Sequence, residues 1–380
     1  MVTILEFSRR RWLGAAVLIL VILSLSACLK PNSPSDPADP CDAMPAGLIG
    51  SAPSFYGNPV RVDVQGDYAY VVDWQGSLQI FDVSDPCNPV SMGSAQGSDN
   101  EFQDVKVMGD YAYVANDADG LAKYDVSDPA SPSRVSARSD GMYAVSVDTN
   151  ERYLFVSYLY TEAPSLAVYD QSTFPSDMTA SYDAGPSWPH HWETAVQGDR
   201  AYLISYDGPP PIFQVLDISD LPTGPVLLGS LDLPDTLYGA GFGMKVAGDY
   251  AYLASMDVDT ADGGLVVVNI ADGANPYVEG MVTNPNAALP FWKRPGLDVS
   301  GDRVYVAGKD GLYGYDVADP ANPTQTTFFP YPESFGLMGS GDVAIQGDLA
   351  FVTAFYPDGD PAASPGGLAI YRLSPGNNPP

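Results

Sequence analysis

The chain has 380 residues, with 17 Lys and Arg against 47 Asp and Glu, a formal net charge of −30, and it is rich in Gly (37) and Pro (35). A surface this acidic has little with which to neutralise phosphates, which excludes nucleic acid as a partner. Gly and Pro are dispersed between stretches that alternate apolar and polar residues, the pattern of an all-β protein with many tight turns and not of a disordered chain.

The first feature along the chain is Ser8-Arg9-Arg10-Arg11-Trp12-Leu13-Gly14, leading into an apolar run from Trp12 to Ala27. A basic start followed by an apolar core that is short for a bilayer span reads as an export signal. The run ends in Leu25-Ser26-Ala27-Cys28, which resembles a bacterial lipobox with Cys28 as the acylated residue. Residues 1–28 are therefore read as a lipoprotein signal peptide. Residues 8–13 also resemble a twin-arginine signal, although Gly14 stands where Lys is usual and the core is greasy for that route. Both twin-arginine and general secretory export stay open. The resemblance implies a protein exported and lipid-anchored to the cell envelope. Leu29 lacks the Asp that marks inner-membrane retention, which points to the outer membrane if the source is Gram-negative. Residues 29–45, rich in Pro, Ser and Asp, read as a flexible acidic tether.

Beyond the tether one unit recurs seven times. Its clearest copy is Val-Lys-Val-Met-Gly-Asp-Tyr-Ala-Tyr-Val (105–114) followed by Gly-Leu-Ala-Lys-Tyr-Asp-Val-Ser-Asp-Pro (120–129). Aligned on the second aromatic, the copies centre on Tyr70, Tyr113, Phe155, Tyr202, Tyr252, Tyr305 and Phe351, 42 to 53 residues apart. A Gly-Asp turn precedes that element in every copy but the third, which has Asn150-Glu151. Each unit reads as four short strands. Strand a runs to the Gly-Asp hairpin, strand b carries the aromatic, strand c stops at the Ser-Asp-Pro turn, and strand d is a Pro-led segment. Four strands per unit match a propeller blade, and one blade cannot cover its own apolar faces, so the units must stack around an axis. The last copy stops at strand c, while residues 39–51 echo the strand d segment of the first copy. The expected fold is thus an all-β, seven-bladed β-propeller of four-stranded blades over residues 46–375, with an N-terminal strand closing the last blade and a disordered tail at 376–380. Closure of this kind removes an open sheet edge.

The Tyr-Ala-Tyr-Val and Gly-Leu-x-Ile-x-Asp-Val-Ser-Asp-Pro elements resemble the LVIVD repeat of bacterial and archaeal surface propellers. Copies one, two and six are close; three, four and five depart, with longer b–c segments and weaker Ser-Asp-Pro turns. The resemblance implies the fold, export and an interaction role, and no established chemistry.

In a propeller the d–a and b–c connections share the face around the channel mouth, where ligands usually bind. Here the d–a segments are aromatic, with Phe102, Tyr143, Trp188, Trp192, Tyr238, Phe242, Phe291 and Trp292 among them. They form either a shallow pocket able to stack a sugar or peptide, or a plug packed between blades. Ser187-Trp188-Pro189-His190-His191-Trp192-Glu193 holds both histidines of the chain, and His190, His191 and Glu193 are candidate transition-metal ligands, with structural or solvent-facing histidines and a general acid/base role as the alternatives. Asp257, Asp259 and Asp262, in an Asp-x-Asp loop with Gly263, are candidate calcium ligands, as are the acids of 117–120 and 358–360; a plain hairpin turn is the alternative. Lys293 and Arg294 are a rare basic pair beside Trp292, suited either to an anionic ligand or to balancing neighbouring carboxylates. Cys41 and Cys87 remain once Cys28 is lipidated. They occupy equivalent positions on neighbouring blades, a separation that argues against a bridge, while the lead-in carrying Cys41 has freedom to reach.

Two functional readings follow. One is a cell-envelope lipoprotein whose propeller is a binding or scaffolding module for a protein or carbohydrate partner. The other is a metal- or calcium-dependent hydrolase, lactonase-like, which requires several carboxylates or His converging on the channel axis. The fold hosts both.

Overall fold

Alternation within strand b explains how the blades stack. In Tyr68-Ala69-Tyr70-Val71, successive side chains point to opposite faces of the sheet. Tyr70 enters the apolar cluster shared with the second blade, while Ala69 and Val71 enter the cluster shared with the seventh. The same polarity holds around the ring: Tyr113, Phe155, Tyr202, Tyr252, Tyr305 and Phe351 each enter the cluster shared with the following blade. A large ring on one face therefore meets aliphatic side chains on the next, which is how close-packed interiors interdigitate.

The computed structural model describes residues 41, 44–53, 58–97, 101–139, 141–159, 164–185, 191–205, 210–234, 243–256, 263–284, 295–332, 339–355 and 366–374. They form seven antiparallel four-stranded sheets, with an apolar cluster between each adjacent pair. The innermost strands, in blade order, are Pro59–Gln65, Asp104–Met108, Ala144–Thr149, His191–Gln197, Gly243–Ala247, Leu297–Ser300 and Gly339–Gln346. Each contacts the next, and the last returns to the first, closing the ring. Six of the hairpins leaving these strands place Gly66, Gly109, Gly198, Gly248, Gly301 and Gly347 at φ between 58° and 66°, where a Cβ would be strained.

The N-terminal strand Gly47–Pro53 is the outermost strand of the seventh blade, paired with Gly367–Arg372, as the echo between residues 39–51 and the first repeat requires. Its Gly50 lies against the Pro86 carbonyl of the first blade, where a Cβ would stand 2.1 Å from that oxygen. Gly93, Gly229 and Gly280 make the same close approach to the c–d turn of their following blades. Those turns explain much of the acidity. Asp82, Asp125, Asp170, Asp217 and Asp316 each accept the backbone N–H two residues on, at 2.8 to 3.0 Å. Hydroxyl hydrogen bonds from Ser84, Ser127, Ser172 and Ser219 hold the first four of these below the usual carboxylate range.

Cys41 and Cys87 are joined in a disulfide, with Cα atoms 5.7 Å apart. Equivalence of repeat position suggested too wide a gap. Cys41 is instead buried between the seventh and first blades, 2% exposed in the cluster of Ile49, Val83 and Phe351.

Candidate functional site

The innermost strands alternate as well, and every second side chain faces the axis. Two tiers result. The tier toward the d–a and b–c connections comprises Arg61, Asp104, Ser146, Glu193, Gly243, Gly296 and Asp342. The tier toward the Gly-Asp hairpins comprises Asp63, Lys106, Asp148, Ala195, Lys245, Asp298 and Ala344. Together, Ser146 excepted, they enclose a cavity of about 380 Å³. Six carboxylates and three cations line it. A β-bulge immediately precedes Arg61, Ser146 and Glu193, and another lies between Ser340 and Val343, which re-aims the strand at the rim.

Arg61 is the centre of the first tier. Its Nε lies 3.8 Å from Asp104 Oδ1 on the next blade, and its Nη2 lies 3.6 Å from Glu193 Oε2 on the fourth. Because blades one and four are not neighbours, the guanidinium spans the channel. Burial works to lower its pKa, but the carboxylates of Asp342, Glu193 and Asp104 outweigh that and hold it above the ordinary arginine value. In the second tier, Lys106 Nζ lies 3.7 Å from Asp148 Oδ1 and Lys245 Nζ lies 3.1 Å from Asp298 Oδ1. The field of Asp63, aided by Asp148, raises Lys106 against the opposing effect of burial.

The carboxylates also join blade to blade. Asp63 Oδ2 accepts the Val107 N–H at 2.7 Å, Asp104 Oδ2 that of Val147 at 2.9 Å, and Asp148 Oδ2 that of Val196 at 2.8 Å. Asp298 Oδ2 accepts from Ile345 at 2.8 Å, and Asp342 Oδ2 from Val62 at 3.2 Å. Ser146 Oγ accepts the Thr194 N–H at 3.2 Å. Gln65, Gln197 and Gln346 clamp the hairpin Gly of the following blade from the rim. Five of the inner strands thus use their polar side chains to satisfy N–H donors of the following blade.

Burial, against the opposing effect of Arg61, pushes Asp342 up to about 6, and it likewise raises Asp148. A carboxyl whose folded value lies above its unfolded one binds more protons when folded. Its stabilising contribution is therefore full below about pH 4 and is lost as pH rises through about 6. Between pH 5 and pH 7.5 this one group is expected to withdraw about 1 kcal/mol. Asp342→Asn removes that component, so the difference between wild-type and variant urea midpoints is expected to change across the interval. An unchanged difference contradicts the assignment.

Of the residues singled out from the sequence, Glu193 lies in the channel, paired with Arg61. His191 and Trp192 open the inner strand of the fourth blade, with the bulge between His191 and Glu193. Trp188, His190, Tyr238, Phe242, Phe291, Trp292, Lys293, Arg294, Asp257, Asp259, Asp262 and Cys28 lie outside the described residues. Phe102 is fully buried against Tyr124, with ring centroids 6.0 Å apart, so this aromatic packs between blades. Asp117 to Gly120 form a turn closed by the Asp119 N–H to Asn116 and the Gly120 N–H to Asp117. Sequence reasoning missed the channel ring. Its signal was present, as charges at alternate positions of an otherwise Val-rich strand: Arg61 and Asp63, Asp104 and Lys106.

The family described as the LVIVD repeat matches residues 56–96, 101–137, 239–284 and 295–327, which fall on blades one, two, five and six of the ring. The chain is a seven-bladed β-propeller that carries LVIVD repeats. The fifth repeat of this LVIVD propeller, which departs from the pattern by eye, is matched along with the three close ones. Among solved structures, the crystal structure of the computationally designed Ika8 protein is similar with a TM-score of 0.56 and 8% identity, over 86% of this chain and 99% of that one. At that identity the likeness concerns the fold alone. No curated protein matches the sequence.

Proposed function

We propose that this LVIVD propeller is a cell-envelope lipoprotein that acts as a binding or scaffolding module, taking a protein or carbohydrate partner on the face formed by its d–a and b–c connections. The observation that supports this is the internal use of the channel's charges. Asp104 and Glu193 meet on Arg61, and the inner-strand Asp side chains accept N–H groups of the following blade. The ring therefore serves as a rigid hub. On this reading a partner is met by the d–a and b–c connections and not by the channel.

The hydrolase reading asked for carboxylates converging on the axis, and Asp104, Glu193 and Asp342 do surround one point. That point is taken by the Arg61 guanidinium, which supplies the positive charge a calcium ion would bring. Binding through the loop face is the better supported reading. Replacing Trp188, Trp192 and Trp292 together with Ala is expected to weaken capture of envelope proteins or glycans at least tenfold, at an unchanged urea midpoint. Capture that is indifferent to all three substitutions overturns the loop-face reading. A stoichiometric metal that is lost in a His190→Ala/His191→Ala variant would instead favour the hydrolase.

A further inference from the structure

The point at which the lead-in joins the propeller is fixed on one face. Gly47 pairs with Arg372 at the hairpin end of the seventh blade, whereas Pro53, at the other end of that strand, pairs with Gly367. Arg372 Nη1 donates to Asp348 Oδ2 in the Gly347-Asp348 hairpin at 2.8 Å, and Arg372 Nη2 donates to the Cys41 carbonyl at 3.1 Å. The Met44 N–H donates to the same carbonyl at 3.2 Å. Cys41 is bonded to Cys87, in the c–d turn of the first blade, which lies on that hairpin face as well. The chain therefore enters the ring on the hairpin face, bound covalently to blade one and by hydrogen bonds to blade seven.

We propose that this staple sets the orientation of the propeller on its membrane: the hairpin face looks toward the bilayer and the d–a and b–c face looks away from it. The inference rests on the lipid-anchor reading of Cys28. Thirteen peptide steps separate Cys28 from Cys41, a reach of at most about 45 Å. The staple ends that reach under the hairpin face, so bringing the opposite face to the bilayer requires the tether to pass around the rim. Charge sets the stand-off and not the orientation. The hairpin face carries Asp67, Asp110, Asp199, Asp249, Asp302 and Asp348. An anionic bilayer repels them within a Debye length of about 10 Å, well inside the tether's reach. The propeller then stands off the membrane with its loop face open to a partner.

The test uses the full-length lipidated protein in vesicles containing acceptor-labelled lipid. A donor fluorophore is placed on Asp110→Cys, in a hairpin turn, or on Asp119→Cys, in a b–c turn. A strand of seven residues separates the two faces by about 20 Å. Energy transfer to the bilayer is expected to be at least twofold greater from position 110. In a Cys41→Ser/Cys87→Ser background the difference is expected to shrink by at least half. Equal or reversed transfer from vesicle-bound protein overturns the orientation. Protein that fails to float with the vesicles overturns the anchor itself, and the orientation with it.

Discussion

Arg61→Met is expected to be the most damaging single substitution in the ring, lowering stability by about 3–5 kcal/mol. The size follows from what the change leaves behind. Arg61 is 5% exposed, with Asp104 and Glu193 at 8% and 9%. Removing the guanidinium leaves those carboxylates, and Asp342 with them, without the positive charge that offsets their burial. The loss also acts at a distance, because Arg61 reaches from the first blade to the fourth. Inter-blade apolar packing is untouched by the substitution, so the effect isolates the channel charges. Urea midpoints at pH 7.5 measure it directly. A companion triple variant, Arg61→Met/Glu193→Gln/Asp342→Asn, is expected to recover at least half of the loss, since neutral side chains tolerate burial that charges do not. A single variant within 1 kcal/mol of wild type would show that the channel charges are solvated and of little consequence.

Opening the staple is the second large effect. In Cys41→Ser/Cys87→Ser, the cross-link between residues 46 positions apart is lost. Chain entropy alone assigns a loop of that size about 4 kcal/mol, and measured losses for native disulfides fall around 2–5 kcal/mol. The staple ties the strand that completes blade seven to blade one, so its removal acts where the ring closes. Hydrogen exchange is expected to quicken in Gly47–Pro53 and Gly367–Arg372 before it does in the central blades. Uniform exchange together with a loss below 1 kcal/mol would mean that the six paired residues of the closing strand hold the ring without covalent help.

Much of the fold could be read before any coordinates because the repeating physics is local. Strand alternation at Tyr68-Ala69-Tyr70, positive φ at the Gly-Asp hairpins and Asx turns at Asp82, Asp125 and Asp170 each depend on residues within a few positions of one another. Seven copies of those local instructions, with a missing strand at one end and a spare one at the other, leave one way to close. The acids divide along the same line. Those in turns were legible as turn chemistry, whereas those of the inner strands have their meaning only against residues of other blades.

The sequence by itself thus determined the number of blades, the four-stranded unit and the strand that closes the ring. Tertiary structure decided the rest. It brought Arg61 within reach of Glu193 across the channel, passed each inner-strand Asp carboxylate to the next blade's N–H, and brought Cys41 against Cys87. The reason is physical. Turn and strand preferences are fixed by neighbours along the chain, but the field at a buried charge is the sum over groups that only the closed ring makes adjacent.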